Sequence, residues 1–109
     1  MTLEISAAEV KRRLDAGEKL HLIDVREPHE FAIAKIANSE LIPMRQIPGE
    51  LQSLEAKADS APLVVYCHHG VRSMMAIGGL RMMGFKKLHN LSGGIDAWSV
   101  KVDATVPRY

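Results

Sequence analysis

The stretch most informative about the architecture is Leu63-Val64-Val65-Tyr66-Cys67-His68-His69-Gly70-Val71-Arg72-Ser73. It begins with a continuous apolar run after Pro62, a pattern typical of a strand buried on both faces of a parallel sheet. A polar loop follows, and then a helix from about Ser73 to Met83 that ends at Gly84. Because this helix is apolar almost all round, we expect it to be deeply packed, with its methionines in the core: Met74, Met75, Met82 and Met83.

The rest of the chain alternates between strand and helix signals. Further short strands are predicted at Leu3–Ile5, Leu20–Val25, Glu40–Ile42 and Lys87–Leu91. Helices are predicted after a capping box of Ser6 and Glu9, from Pro28 to about Lys35, from near Pro48, and after Gly93-Gly94, with Trp98 as a core anchor. The alternation predicts one α/β domain over residues 1–109, with a mainly parallel central sheet flanked by helices.

Composition narrows the class of protein. The 109 residues carry 14 Lys and Arg against 13 Asp and Glu, so a net charge of +1 argues against partners held by bulk charge, namely nucleic acid or a membrane surface. A lone cysteine, Cys67, excludes an internal disulfide and a multi-thiolate metal site. The first residues lack the pattern of a signal peptide, so we expect a soluble, cytoplasmic protein.

Cys67 is the strongest candidate for a reactive residue in the sequence. It follows the buried strand and precedes a helix N-terminus, where unpaired amides and the helix dipole favour a thiolate. Gly70 allows the loop amides to converge by adopting a positive φ, and Arg72 adds a permanent cation. Lone cysteines are commonly inert small hydrophobes, but the polar loop that follows this one favours a reactive thiol.

The segment from Cys67 to Ser73 resembles the active-site loop of the rhodanese-like sulfurtransferases, C-x-x-G-x-R-[ST]. Three further blocks agree in order: Leu22-Ile23-Asp24-Val25-Arg26-Glu27-Pro28-His29-Glu30-Phe31, Ile42-Pro43, and Leu91-Ser92-Gly93-Gly94-Ile95-Asp96-Ala97-Trp98 with the trailing Pro107. Where many members read G-H-I-x-G-A, this chain has Ala34-Lys35-Ile36-Ala37-Asn38-Ser39, which leaves the geometry of that turn open.

The resemblance implies a nucleophilic sulfur transfer. Cys67 would accept the outer sulfur of a donor such as thiosulfate, hold it as a persulfide and pass it to cyanide or a thiol, with Arg72 as the principal charge. The remaining loop residues would bind substrate: His68, His69, Gly70, Val71 and Ser73. No cofactor beyond the covalent persulfide and no metal is expected, because consecutive residues rarely converge on one ion.

Asp24 and Arg26 are expected to support the site without taking part in the chemistry. They follow a buried strand and would lie at the same edge of the sheet as the loop. The resemblance implies that Asp24 helps to hold the active-site loop. A structural pairing of Arg26 with Glu30 or another carboxylate is an equally good interpretation of the sequence.

Three alternative functions remain open. Related phosphatases and arsenate reductases use a loop one residue longer, whereas four residues separate Cys67 from Arg72, a spacing that favours a cradle for a single sulfur atom. A regulatory binding module of the same fold typically lacks the cysteine. A sulfur relay would hand its persulfide to a protein partner in tRNA or cofactor thiolation.

Overall fold

Five parallel strands form the sheet of the computed structural model, which describes residues 3–109. They are β1 (Glu4–Ile5), β2 (His21–Asp24), β3 (Glu40–Leu41), β4 (Leu63–Tyr66) and β5 (Leu88–Leu91). Their order across the sheet is β1-β5-β4-β2-β3, and every neighbouring pair is parallel. The central strand, β4, is buried along its whole length, which confirms the prediction made from its apolar run and puts its carboxyl end in the middle of one sheet edge.

Helices flank both faces of the sheet. They are α1 (Ala7–Asp15), α2 (Pro28–Ile33), α3 (Leu51–Ser60), α4 (Val71–Met82) and α5 (Gly94–Lys101), and a 3₁₀ helix over Met44–Glu50 leads into α3. Pro48 lies inside that 3₁₀ segment, and α3 begins after it, at Leu51. None of the helices within residues 3–109 is long and apolar enough to cross a membrane.

The capping box predicted at the start of α1 is only half formed. The Ser6 hydroxyl accepts a hydrogen bond from the backbone N–H of Glu9 at 3.0 Å, as expected. The Glu9 carboxylate, however, accepts hydrogen bonds from the guanidinium groups of Arg12 and Arg13 instead of reaching back. Two cations one turn away compete for this carboxylate more strongly than a neutral amide does.

The sheet separates two apolar clusters. Alternate side chains of β4 point to opposite faces, so Val64 and Tyr66 pack in the cluster beneath α1 and α5, while Val65 packs in the cluster beneath α3 and α4. Trp98 is buried in the first cluster and anchors α5, which confirms its predicted role.

The prediction that α4 is deeply packed all round is wrong. Ile77 and Leu80 are buried against the sheet, but Met75, Met82 and Met83 are exposed, Met82 by 91 %. The methionines therefore do not fill the core. The helix covers one face of the sheet and its outer side meets solvent; its composition lacks the polar stripe from which that orientation could have been read.

The turn in the segment 34–39 is made by an asparagine. Asn38 adopts φ 66°, a left-handed conformation that asparagine tolerates better than most residues with a side chain. The Ser39 hydroxyl donates to the carbonyl of Ile36 at 2.6 Å and lies 2.8 Å from the Tyr66 hydroxyl, which also accepts the Ile36 N–H. A tyrosine of the central strand thus holds the turn in place.

Substitutions in α4 test its one-sided burial. Ile77→Ala should reduce the free energy of unfolding by about 2–5 kcal/mol, because Ile77 is fully buried and alanine leaves a cavity. Met82→Ala, on the same helix but exposed, should change it by less than about 0.5 kcal/mol. Urea denaturation measures both values, and equal losses for the two variants would contradict the observed orientation.

Candidate active site

The loop between β4 and α4 is built so that its amides face inward. Gly70 precedes the first helical residue with φ 109°, the left-handed conformation expected from the sequence. On the other side of the loop, the backbone carbonyls of Cys67 and His68 accept hydrogen bonds from the N–H groups of Ile95 and Asp96. These two amides lie in the first turn of α5, where they have no partner within the helix. Because these carbonyls point toward α5, the amides of the loop can donate hydrogen bonds to the Cys67 sulfur.

The Cys67 sulfur receives several of these donors. Its Sγ lies 3.0 Å from the backbone N of Gly70, 3.4 Å from the backbone N of Ser73 and 3.4 Å from the Ser73 hydroxyl. The side chain is only 1 % exposed. Burial raises the pKa of the thiol, but the hydrogen bonds that Ser73, Gly70 and His69 can donate to the thiolate together outweigh burial, and the pKa of Cys67 lies below its usual value. The loop therefore favours a thiolate.

Arg72 points to a carboxylate and makes no hydrogen bond to the sulfur. Its Nη1 and Nη2 donate to the two oxygens of Glu30 in α2, at 2.7 and 2.9 Å. This bidentate pair raises the pKa of Arg72 and holds the pKa of Glu30 well below its usual range. Cys67 and Arg72 still attract each other through space, but much of the arginine's charge is compensated by its partner.

Asp24 and Arg26 form a second, fully buried ion pair. The Asp24 carboxylate accepts from the backbone N–H, Nε and Nη2 of Arg26, the last at 2.6 Å. Arg26 Nη2 also donates to the carbonyl of Ala34 at 2.6 Å. Asp24 is therefore the carboxylate that pairs with Arg26, while the side chain of Glu30 pairs with Arg72. The Asp24 carboxylate hydrogen-bonds to Arg26, and Arg26 in turn holds the Ala34 carbonyl, so the pair organises the chain that follows β2.

Tyr109 is a site residue that the sequence did not single out. Its hydroxyl donates to Glu30 Oε2 at 2.8 Å and accepts from Arg26 Nη1 at 2.7 Å, so it joins the two ion pairs. Its ring stacks on His68 with centroids 3.9 Å apart and planes 6° from parallel. No local motif surrounds Tyr109, and only the folded chain brings it to the loop.

The two loop histidines differ in environment. His69 is exposed, whereas the ring of His68 lies between His69 and Tyr109, with its Nε2 buried and without a hydrogen-bond partner in residues 3–109. Burial is the main cause that lowers the pKa of His68. Burial therefore disfavours the charged form of His68, and its ring contributes stacking contacts with Tyr109 and His69 at the rim of the site.

An open groove of about 580 Å³ lies beside the loop. Its lining combines apolar side chains of α4 with backbone of the loop and includes Gly70, Val71, Met74 and Met75. Val71 is a predicted substrate-binding residue, and its side chain lies on this exposed apolar wall.

Gly94 allows the last helix to approach the loop closely. It has φ 61°, and a Cβ placed on it would lie 2.4 Å from the backbone oxygens of both Cys67 and His68. Backbone atoms at such a distance cannot yield without moving the loop. Glycine is required here by both space and conformation.

Alanine scanning of two glycines tests this contact. Gly94→Ala should reduce the free energy of unfolding by more than about 2 kcal/mol, because the added Cβ forces the loop to shift. Gly78→Ala is the matched control: its Cβ meets open space inside α4, so stability should rise by up to about 1 kcal/mol. A Gly94→Ala protein with unchanged stability would show that the contact is not tight.

Comparison with known proteins identifies a family. The model of the rhodanese-like domain family matches residues 6–101. A sulfurtransferase from Allochromatium vinosum is 34 % identical over 99 residues, which cover 91 % of this chain and 90 % of that protein. The crystal structure of a rhodanese-like domain protein from Staphylococcus aureus superposes with a TM-score of 0.82 at 30 % identity, covering 100 % of this chain and 99 % of the other.

Larger relatives contain the same unit as a part. The maize protein "Adenylyltransferase and sulfurtransferase MOCS3-2" is 38 % identical over 109 residues, which cover 96 % of this chain but only 23 % of that protein. This chain thus spans about a quarter of the length of that relative, and it corresponds to nearly the whole of the Allochromatium sulfurtransferase. The chain belongs to the rhodanese-like domain family.

Proposed function

We propose that the protein transfers sulfane sulfur from a donor such as thiosulfate to a thiophilic acceptor, through a persulfide on Cys67. The observation that carries this proposal is the pair of donors directed at Cys67 Sγ, the backbone N–H groups of Gly70 and Ser73. These donors favour a thiolate at a buried position, and we expect amides of the same loop to stabilise the negatively charged outer sulfur of a persulfide.

The transfer occurs in two displacements. The Cys67 thiolate attacks the outer sulfur of thiosulfate, a new S–S bond forms, and sulfite leaves with the electron pair of the broken bond. An acceptor such as cyanide or a thiolate then attacks the outer sulfur of the persulfide and releases Cys67 as a thiolate. No base is needed when the thiol is already ionised, in agreement with its lowered pKa.

A second candidate is a relay that delivers sulfur to a protein. The apolar groove beside the loop, with Val71 and Met75 exposed on its wall, favours a large acceptor over a small anion. A Bacillus subtilis relative, 32 % identical over 100 residues, is named "Putative sulfur carrier protein YrkF". The relay uses the same persulfide and differs only in what removes the sulfur.

Intact-mass spectrometry after incubation with thiosulfate tests the persulfide. We expect the mass to increase by one sulfur atom, the increase to disappear with dithiothreitol, and Cys67→Ser to show none, because Cys67 is the only thiol. Rapid cyanide turnover would support small-molecule transfer, and a stable persulfide with negligible turnover would support the relay. No adduct from any sulfane donor, together with hydrolysis of an aryl phosphate, would establish a phosphatase instead.

The contribution of Arg72 is testable separately. Arg72→Ala should reduce turnover of an anionic donor severalfold, and not abolish it, because Glu30 already compensates much of the arginine's charge. Arg81→Ala, an exposed position at the far end of the same helix, is the control and should leave the rate unchanged. Steady-state kinetics with thiosulfate measure both, and equal rates for Arg72→Ala and the wild-type protein would remove its assigned role.

A further inference from the structure

A chain of buried polar groups lies behind the Cys67 sulfur. The Ser73 hydroxyl is 3.4 Å from Sγ on one side and 2.5 Å from Oδ1 of Asn90 on the other. Asn90 belongs to β5 and is only 3 % exposed. Neither the sequence motif nor the proposed transfer assigns a role to this asparagine.

The orientation of the Asn90 amide is determined by its other contacts. Its Nδ2 donates to the backbone carbonyl of Gly70 at 3.2 Å and to Glu4 Oε2 at 2.9 Å. Both partners are acceptors, so the nitrogen must face them and the amide oxygen must face Ser73. Ser92 in turn donates to the other oxygen of Glu4 at 2.8 Å and holds that carboxylate in place.

This geometry makes Asn90 and the sulfur competitors for one proton. An amide oxygen can only accept, so Ser73 must donate its single hydroxyl proton to Asn90. The Ser73 oxygen then faces Sγ as an acceptor, a role that suits a protonated thiol and not a thiolate. To stabilise the thiolate, the hydroxyl must turn away from Asn90 and give up the shorter of its two hydrogen bonds.

We propose that Asn90 is a positioning residue that holds the Ser73 hydroxyl proton away from Cys67 and thereby opposes ionisation of the nucleophile. The proposal rests on the proposed function only in taking Cys67 as the reactive group. When the thiol ionises, its proton leaves to solvent, while the Ser73 hydroxyl keeps its own proton and only rotates. The backbone N–H groups of Gly70 and Ser73 stabilise the thiolate in either case.

The other charged groups around Cys67 take no part in the hydrogen bond between Ser73 and Asn90, and of these groups Glu4 contacts the Asn90 amide directly. Arg72, from the first turn of α4, attracts the thiolate and is paired with Glu30 of α2. The Asp24 and Arg26 pair after β2 is linked to Glu30 through the Tyr109 hydroxyl, and burial lowers the pKa of His68 in the loop. On the β1 side, Glu4 is the carboxylate behind Asn90, and Tyr109 packs over His68. Replacing Asn90 by an apolar residue leaves all these charges in the chain.

The test is the pH dependence of alkylation of Cys67 by iodoacetamide, which reports the only thiol of the protein. Asn90→Leu, which fills a similar volume without an acceptor, frees the Ser73 hydroxyl for the sulfur. We expect the midpoint of the pH profile to fall by about one pH unit, the size expected for one hydrogen bond to a charged group. An unchanged or raised midpoint would overturn the proposal.

A double-substitution cycle separates positioning from a general structural effect. In the Ser73→Ala background, Asn90→Leu should no longer move the midpoint, because the hydroxyl through which Asn90 acts is gone. A shift of the same size in both backgrounds would contradict the proposal. Ser99→Ala, which removes a buried hydroxyl that donates to the Ile95 carbonyl within α5 and not to Ser73 or Cys67, is the matched control and should leave the midpoint unchanged.

Two measures keep the test decisive. If Asn90→Leu does not fold, as judged by thermal unfolding, Asn90→Ala removes the same amide with less steric demand and carries the same expectation. Alkylation needs no sulfur donor, so it is informative even if no persulfide forms. A failure of sulfur transfer and a failure of this proposal are therefore distinguishable.

Discussion

The site depends on main-chain N–H groups that converge on one buried sulfur atom. Gly70 and Ser73 supply them, and they face Cys67 because the loop leaves the central strand of the sheet and enters a helix within a few residues. The arrangement also needs hydrogen-bond donors for the loop carbonyls of Cys67 and His68. Backbone N–H groups from the first turn of α5 supply them. Gly94 permits that approach, so two glycines far apart in the sequence shape one site.

The charged side chains near the loop are organised mainly with one another. Asp24 pairs with Arg26, Glu30 pairs with Arg72, and Tyr109 connects the two pairs through its hydroxyl. Buried or half-buried ion pairs pay a desolvation cost that limits their net stabilisation, but breaking one leaves an uncompensated charge. Their effect here is to fix the positions of α2 and the loop. Dipoles of the backbone, more than a free cation, create the attraction for a negatively charged sulfur.

The sequence predicted the parts of the structure that depend on local patterns. The strand over Leu63–Tyr66 was recognisable as an unbroken apolar run, and the cradle around Cys67 followed from a glycine and a helix start at short spacing. Contacts between distant segments were not predictable. The sequence allows Glu30 as a partner for Arg26, but in the fold its carboxylate binds Arg72, which follows the loop. Tyr109 and Asn90 reach the site only through the tertiary fold, and no local motif marks either residue.

The buried face of an element was predictable only where apolar residues recur at a regular spacing along the sequence. The helix that follows the loop contains apolar residues on every side, and this uniformity suggested a core position. In the fold it covers one face of the sheet, so Ile77 is buried while Met82 is exposed. A helix whose composition does not distinguish its faces takes its orientation from its neighbours, and only the three-dimensional structure supplies them.

The hydrogen bonds to Cys67 also couple ionisation of the thiol to folding. The groups that lower its pKa come from a loop that exists only in the folded chain, so the unfolded protein has an ordinary thiol. Between the folded and the unfolded pKa the unfolded state binds more protons, and the free energy of unfolding therefore increases with pH across that interval. This contribution is complete above the unfolded value and disappears as the pH falls through the folded value. The same contacts that make the sulfur nucleophilic thus make the domain more resistant to unfolding in mildly alkaline solution.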